Sequence, residues 1–251
     1  MKNITTNDGT YTMYSKEFKQ HYHSLKEGAL NEALCKHVIP SLNYHKNKKE
    51  LSILDICYGL GYNSLATLFY IYSNNLNIKV NIYSPEFDKE LLKSLNNFDY
   101  PKEFECLKEI IKQLSYNLNY EDKNCKITIY NGDARIYLDI LKQREQKFDI
   151  VYQDPFSSSV NKLLWTKEYF KQIKYLLEKD AIITTYSIAT PIRLSIYLND
   201  LNIYEYKPDN SNRITIALNR DKLYLNDRYK YIDMELKQQR NKTAVALSDY
   251  D

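Results

Sequence analysis

Leu51-Ser-Ile-Leu-Asp-Ile-Cys-Tyr-Gly-Leu-Gly-Tyr-Asn63 is the stretch whose reading decides the fold. Residues 51–57 are a short apolar run with one carboxylate, Asp55, inside it. That is the pattern of a strand buried on both faces of a parallel sheet. Gly59 and Gly61 follow at once, and Ser64-Leu-Ala-Thr-Leu-Phe-Tyr-Ile71 has the amphipathic spacing of a helix. Strand, glycine turn and helix open a nucleotide-binding α/β unit, because glycine permits a sharp turn and lets a ligand approach the backbone closely. The third glycine of the dinucleotide fingerprint is missing; Asn63 and Ser64 stand where it would fall. This favours S-adenosylmethionine (SAM), whose amino-acid tail packs against such a loop without a pyrophosphate. A tight turn in an ordinary α/β sheet is the plainer alternative for a lone G-x-G.

Downstream of that unit the pattern repeats. Ile78-Lys-Val-Asn-Ile-Tyr-Ser84 alternates as a second strand, ended by Pro85-Glu86. An acidic residue just past this strand is where α/β nucleotide sites bind ribose hydroxyls, so Glu86 is the ribose candidate. Residues 88–120 suit two helices broken at Pro101. Cys125-Lys-Ile-Thr-Ile-Tyr130 is a third strand, and Asp133 in the turn after it lies beside the same crevice, in reach of an adenine amine. Phe148-Asp-Ile-Val-Tyr-Gln-Asp154 is the fourth strand, followed by Asp154-Pro-Phe156 and a Ser-rich loop. Ligands bind outside the carboxyl ends of such strands, which puts Asp154 where chemistry would occur; an Asp-Pro turn is the plain alternative. Thr166 suits a helix N-cap, residues 181–187 a fifth strand, residues 192–201 a helix, and residues 202–206 with 213–218 a closing antiparallel pair.

At the ends, Asp8-Gly9 between Thr and Tyr residues predicts a hairpin, and residues 28–39 a helix stopping near Pro40. A further helix is expected around residues 234–240. The expected organisation is an N-terminal extension over 1–45, a SAM-binding core over 46–220 and a charged C-terminal tail over 221–251. The fold class is α/β, a mostly parallel central sheet with helices on both faces.

Composition narrows the function classes. In 251 residues, 35 Lys and Arg nearly balance 32 Asp and Glu, so the net charge of +3 does not by itself indicate nucleic acid. The cysteines at 35, 57, 106 and 125 form no C-x-x-C pair, and His21 and His23 have no acidic or cysteine partner nearby in sequence. Neither a metal site nor a disulfide framework is expected, and a reducing, cytoplasmic location fits. The polar first ten residues do not read as a signal peptide, and no apolar run approaches a membrane span.

Taken in order, Asp8-Gly9, Tyr22-His-Ser24, Gly28-Ala-Leu30, Asp55-x-x-x-Gly59-x-Gly61-x-Asn63, Glu86, Gly132-Asp133, Asp154-x-Phe156, Leu164-Trp-Thr166, Phe170 and Thr185-Tyr186 resemble the methyltransferase domain of MnmC. The similarity runs from about residue 8 to 218. It implies a class I SAM-dependent methyltransferase, Rossmann-like, that makes 5-methylaminomethyl(-2-thio)uridine at the tRNA wobble position by methylating an aminomethyl group. It also implies SAM as cofactor, the anticodon region of tRNA as partner and Asp154 as the catalytic residue. Cofactor contacts are expected from Asp55, Gly59, Gly61, Asn63, Glu86 and Asp133, and substrate contacts from Tyr22, His23, Phe156 and Trp165. Asp154 would orient the amine, stabilise the charge developing on nitrogen and receive the released proton.

The chain also departs from that family's pattern. Asp55 stands where the family commonly has Glu, Pro155-Phe-Ser-Ser158 where it has Gly-Phe-Ala-Pro, and Ala189-Thr-Pro191 where it often has Ala-Gly. No flavin oxidoreductase domain accompanies these residues, so a stand-alone form is expected. Methylation of a small amine or another nucleobase amine, and a silent RNA-binding relative, are the alternatives. Lys46, Lys48, Lys49, Lys108, Lys112, Arg228, Lys230, Lys237, Arg240 and Lys242 are candidate phosphate contacts.

Overall fold

The run around Asp55 becomes the middle one of five parallel strands within a nine-stranded sheet in a computed structural model that describes residues 2–223 and 225–250. Two small hairpins lead: β1 (Ile4–Thr5) with β2 (Tyr11–Thr12), then β3 (Tyr14–Ser15) with β4 (Gln20–His21). The first is the Asp8-Gly9 hairpin, with Gly9 at φ 81; the second carries no turn signal and was not expected. Next come α1 (Ala29–Glu32), a π-helical turn (Ala33–Val38) and α2 (Ile39–Tyr44). The expected stop at Pro40 is therefore wrong: the helix runs on. Proline lacks an N–H and collides with the carbonyl four residues back. The wide π turn, in which the Ile39 N–H reaches Leu34 O, accommodates it.

The core follows in chain order: β5 (Glu50–Ile56), α3 (Tyr62–Ser73), β6 (Lys79–Glu86), α4 (Lys89–Ser94), α5 (Lys108–Asn117), β7 (Asn119–Glu121), β8 (Cys125–Asn131), α6 (Ala134–Gln143), β9 (Phe148–Gln153), α7 (Lys167–Tyr175), β10 (Leu177–Thr185), α8 (Thr190–Tyr197), β11 (Asn202–Tyr206) and β12 (Ile214–Leu218). β6 runs through Pro85-Glu86 rather than ending before them, because the Pro85 carbonyl accepts from Tyr58 N. A 3₁₀ stretch, Lys102–Leu107, takes the first half of the helix expected from residue 104.

The five strands β8, β6, β5, β9 and β10 lie side by side and parallel. β12 inserts antiparallel between β10 and β11, and β7 pairs antiparallel with β8 at the far edge. Chain order reverses between β5 and β9, so a crevice opens there at the carboxyl ends of the strands. Alternation along β5 serves two cores. Leu51 and Ile53 pack with α3 and α5 on one face, and Leu54 and Ile56 with α6, α7 and α8 on the other. All four are fully buried, which matches their continuous apolar run.

The C-terminal segment lies against this body. β13 (Tyr229–Tyr231) adds to β11, and α9 (Met234–Arg240) follows with Asp233 as its N-cap. Asp249 closes the segment by accepting both Arg135 Nη1 contacts, at 2.9 and 2.8 Å, and the Thr166 hydroxyl at 2.6 Å. No helix among the described residues is long and apolar enough to cross a membrane.

Candidate active site

Asp55 ends the central strand with no exposed surface. Its carboxylate accepts Ser64 Oγ at 2.7 Å and Asn63 Nδ2 at 3.3 Å, both from the first turn of α3. Burial pushes its carboxyl up to about 7, against the pull of Ser64. It thus ties the loop 56–62 to the helix that follows. Within that loop Cys57, Gly59 and Gly61 all take positive φ, at 68, 54 and 75°. A Cβ on Gly61 would stand 2.7 Å from the Tyr58 phenol ring, and one on Gly59 3.3 Å from the Tyr22 ring. Positive φ favours glycine at both positions, and at Gly61 a Cβ would also collide with Tyr58.

Glu86 is buried at the end of β6 and clasps the same loop. Its Oε2 accepts Gly59 N at 2.8 Å and its Oε1 accepts Asp88 N at 2.9 Å. Each carboxylate oxygen keeps a second lone pair for a ligand hydroxyl. Burial raises its carboxyl, while the backbone N–H groups of Asp88 and Gly59 pull it back. Asp133 caps α6, its Oδ1 accepting from Arg135 N and Ile136 N at 2.8 and 3.0 Å. The cap and any ligand contact draw on one carboxylate.

Asp154 follows β9 directly, with its side chain 16% exposed. Oδ2 accepts Asn63 Nδ2 at 3.0 Å, and Oδ1 lies 3.5 Å from His37 Nε2. Burial pushes this carboxyl up, but His37, Asn63 and His23 together outweigh it and hold it below its ordinary value. Behind the loop, Trp165 Nε1 donates to Phe156 O at 2.8 Å and the Tyr186 hydroxyl to Pro155 O at 3.0 Å. In front, the β3–β4 hairpin closes over. Gln20 Nε2 donates to Ser157 Oγ at 2.6 Å, Ser157 N donates to Gln20 Oε1 at 3.2 Å, and the Phe18 ring stacks on Phe156 at 4.6 Å.

These pieces enclose a cavity of about 730 Å³. Of the expected site residues, Gly59, Asn63, Glu86, Asp133, Asp154, Tyr22, His23 and Phe156 line it. Asp55, Gly61 and Trp165 do not: Asp55 and Gly61 shape the loop, and Trp165, fully buried, holds Phe156 from behind. Cys57, Phe18, Glu32 and the hairpin residue Gln20 also line it, and no spacing signal in the sequence marks them. His37 was missed as well. The cavity fits SAM by size, and two buried polar atoms of its lining, His23 Nδ1 and Asn63 Oδ1, have no hydrogen-bond partner. Glu86 and Asp133 sit at the ends of β6 and β8, and Asp154 at the end of β9 across the crevice. The lining thus offers carboxylates on both sides of the crevice.

Comparison with known proteins agrees with this geometry. A model of the S-adenosyl-L-methionine-dependent methyltransferase family matches residues 102–217. An uncharacterised protein of Methanocaldococcus jannaschii is 32% identical over 197 residues, covering 77% of this chain and 52% of that protein. The bifunctional tRNA 5-methylaminomethyl-2-thiouridine biosynthesis protein MnmC of Campylobacter hominis is 27% identical over 202 residues, covering 73% and 27%. The chain thus spans about half the length of the first of these relatives and about a quarter of the second. The crystal structure of MnmC2 from Aquifex aeolicus superposes with a TM-score of 0.83 at 26% identity, covering 99% of this chain and 78% of that one.

Proposed function

We propose that this chain, a class I SAM-dependent methyltransferase related to the MnmC methyltransferase domain, methylates the aminomethyl group of the tRNA wobble uridine. The product is 5-methylaminomethyl(-2-thio)uridine. The observation that carries the reading is the carboxylate of Asp154 in the cavity lining, held by Asn63 at 3.0 Å and 3.5 Å from His37, neighbours that outweigh burial and lower its pKa.

When bound, SAM supplies a methyl group on a sulfonium, which an amine nitrogen takes up as that amine gives off one proton. Glu86 holds the ribose hydroxyls, Asp133 the adenine amine, and the Gly59 loop with Asn63 the amino-acid tail. An alkyl ammonium has a pKa near ~10 in water, so the acceptor arrives charged. Asp154 draws that cation in and sets its orientation. Closure of the aromatic lid of Phe18, Tyr22 and Phe156 removes water, which favours the neutral amine. Asp154 then offsets the positive charge that builds on nitrogen. Its depressed pKa makes it a poor store for the released proton, which narrows its expected tasks to orientation and charge stabilisation.

Leu25, Phe87 and Leu163 line the cavity and are 38, 51 and 53% exposed, an apolar rim suited to an unstacked base. Several of the basic side chains considered as phosphate contacts are already paired: Lys48 with Asp149, Lys108 with Glu105 and Arg228 with Asp209. The test is incubation with labelled SAM and tRNA from cells lacking the gene, followed by nucleoside analysis. Label is expected in the methylaminomethyl nucleoside. Label in a small metabolite alone selects the small-amine alternative, and absence of SAM binding at millimolar concentration selects a silent relative.

A further inference from the structure

His37 sits with no exposed surface inside the π-helical turn Ala33–Val38, where the turn meets the carboxyl ends of β9 and β10. Its Nδ1 is 2.8 Å from Thr184 Oγ1 on β10, and its ring stands edge-on to Tyr152 on β9 at 5.5 Å. Nε2 makes no hydrogen bond of normal geometry, and the polar atom it approaches is Asp154 Oδ1, at 3.5 Å. A buried imidazole with one nitrogen anchored and the other aimed at a carboxylate is an orienting device, because a hydroxyl that donates to Nδ1 leaves the proton on Nε2, facing the carboxylate. π turns of this kind are frequent at functional sites. Here the wider turn sets Lys36 on Glu32 and Glu27 and His37 toward the sheet.

We infer that His37 is a positioning residue for Asp154: anchored by Thr184, it keeps the carboxylate ionised and turned into the cavity. With the Thr184 hydroxyl donating to Nδ1, Nε2 carries its proton toward Oδ1, while Asn63 Nδ2 holds Oδ2. Each carboxylate oxygen then has one side chain of the protein holding it, Asn63 at Oδ2 and His37 at Oδ1. Other titratable groups share the surroundings. Asp55 on β5 opposes a second negative charge nearby, His23 on the loop after β4 supports it, and Cys57, Glu32 and Tyr186 complete the ring. Among them, His37 makes the largest contribution that lowers the Asp154 carboxyl.

This inference rests on the reading that Asp154 faces the acceptor, but its test does not require transfer. In protein carrying ¹³C-carboxyl aspartate, the resonance absent from Asp154→Asn identifies Asp154, and its titration is followed without substrate. His37→Gln removes the partner, so the Asp154 midpoint is expected to rise by about one pH unit. In methyl transfer, the acidic limb of the kcat profile moves to higher pH, while KM for SAM is unchanged. Thr184→Val, which takes away only the anchor, is expected to give a smaller rise in the same direction, and it serves if His37→Gln fails to fold. An unchanged Asp154 midpoint in either folded variant overturns the inference. A shifted midpoint in an enzyme whose parent transfers no methyl to tRNA leaves the inference standing and overturns the proposed substrate instead.

Discussion

Cys57 holds a backbone conformation that L-residues avoid, φ 68, in the glycine loop that lines the cavity. Left-handed backbone costs a residue with a Cβ roughly 1–2 kcal/mol, and glycine does not meet that cost. Cys57→Ala and Cys57→Gly both lose the sulfur, so their difference isolates the strain. The glycine variant is expected to be the more stable by about 1 kcal/mol in urea unfolding; an alanine variant equal to it or better would mean that the loop relaxes. At this scale the sequence was readable wherever a residue's place on a strand end also fixed its direction. Glu86 ends a strand, Asp133 and Asp154 come just after one, and all three line the cavity. Asp55 was not readable in that way, because its carboxylate turns back to Ser64, and only the α3 register decides this. Trp165 and Gly61 also lie outside the cavity lining. Each supports a neighbour that does line the cavity, Phe156 in one case and Tyr58 in the other. His37 gave no signal, since it lies mid-helix and its partners are 117 and 147 positions away.

Asp133 stands at the start of α6 with two duties, one visible and one proposed. As N-cap it satisfies two backbone N–H groups; its loss to Ala costs about 1 kcal/mol, whereas Ser retains the cap. Asp133→Ser is therefore expected to keep the melting temperature while weakening SAM in calorimetry, and Asp133→Ala to lose both. Full SAM affinity in the serine variant would remove the adenine contact and leave Asp133 as a cap alone. Periodic elements were legible, as β9, α9 and the β11–β12 pair show. The short edge strands β7 and β13 were not, because three residues carry no period and their pairing is decided by the strand beside them. Pro40 was read by its usual effect on an α-helix, and the neighbouring π turn overrode that effect. The lid hairpin β3–β4 is held by cross-chain contacts, Gln20 with Ser157 and Phe18 with Phe156, that no local pattern encodes.

Across the whole molecule, the reversal of chain order between β5 and β9 places the cofactor loop and Asp154 on either side of one crevice. The parallel core was readable from its buried strands and turns, and the resemblance to the MnmC methyltransferase domain came from residues spread along both that core and the N-terminal extension. The C-terminal segment reads as a charged tail, yet Asp249 ties it to Arg135, itself part of the cavity lining. What joins fold to function in this account is the carboxylate of Asp154 acting on an amine across from the cofactor. The most direct measurement is the single-turnover rate of methyl transfer to tRNA by Asp154→Asn, with SAM affinity and melting temperature taken on the same preparation. The expected result is a folded protein that binds SAM nearly as the parent does and transfers methyl about 10²–10⁴-fold more slowly. A folded, SAM-saturated Asp154→Asn protein running within a few-fold of the parent would contradict it.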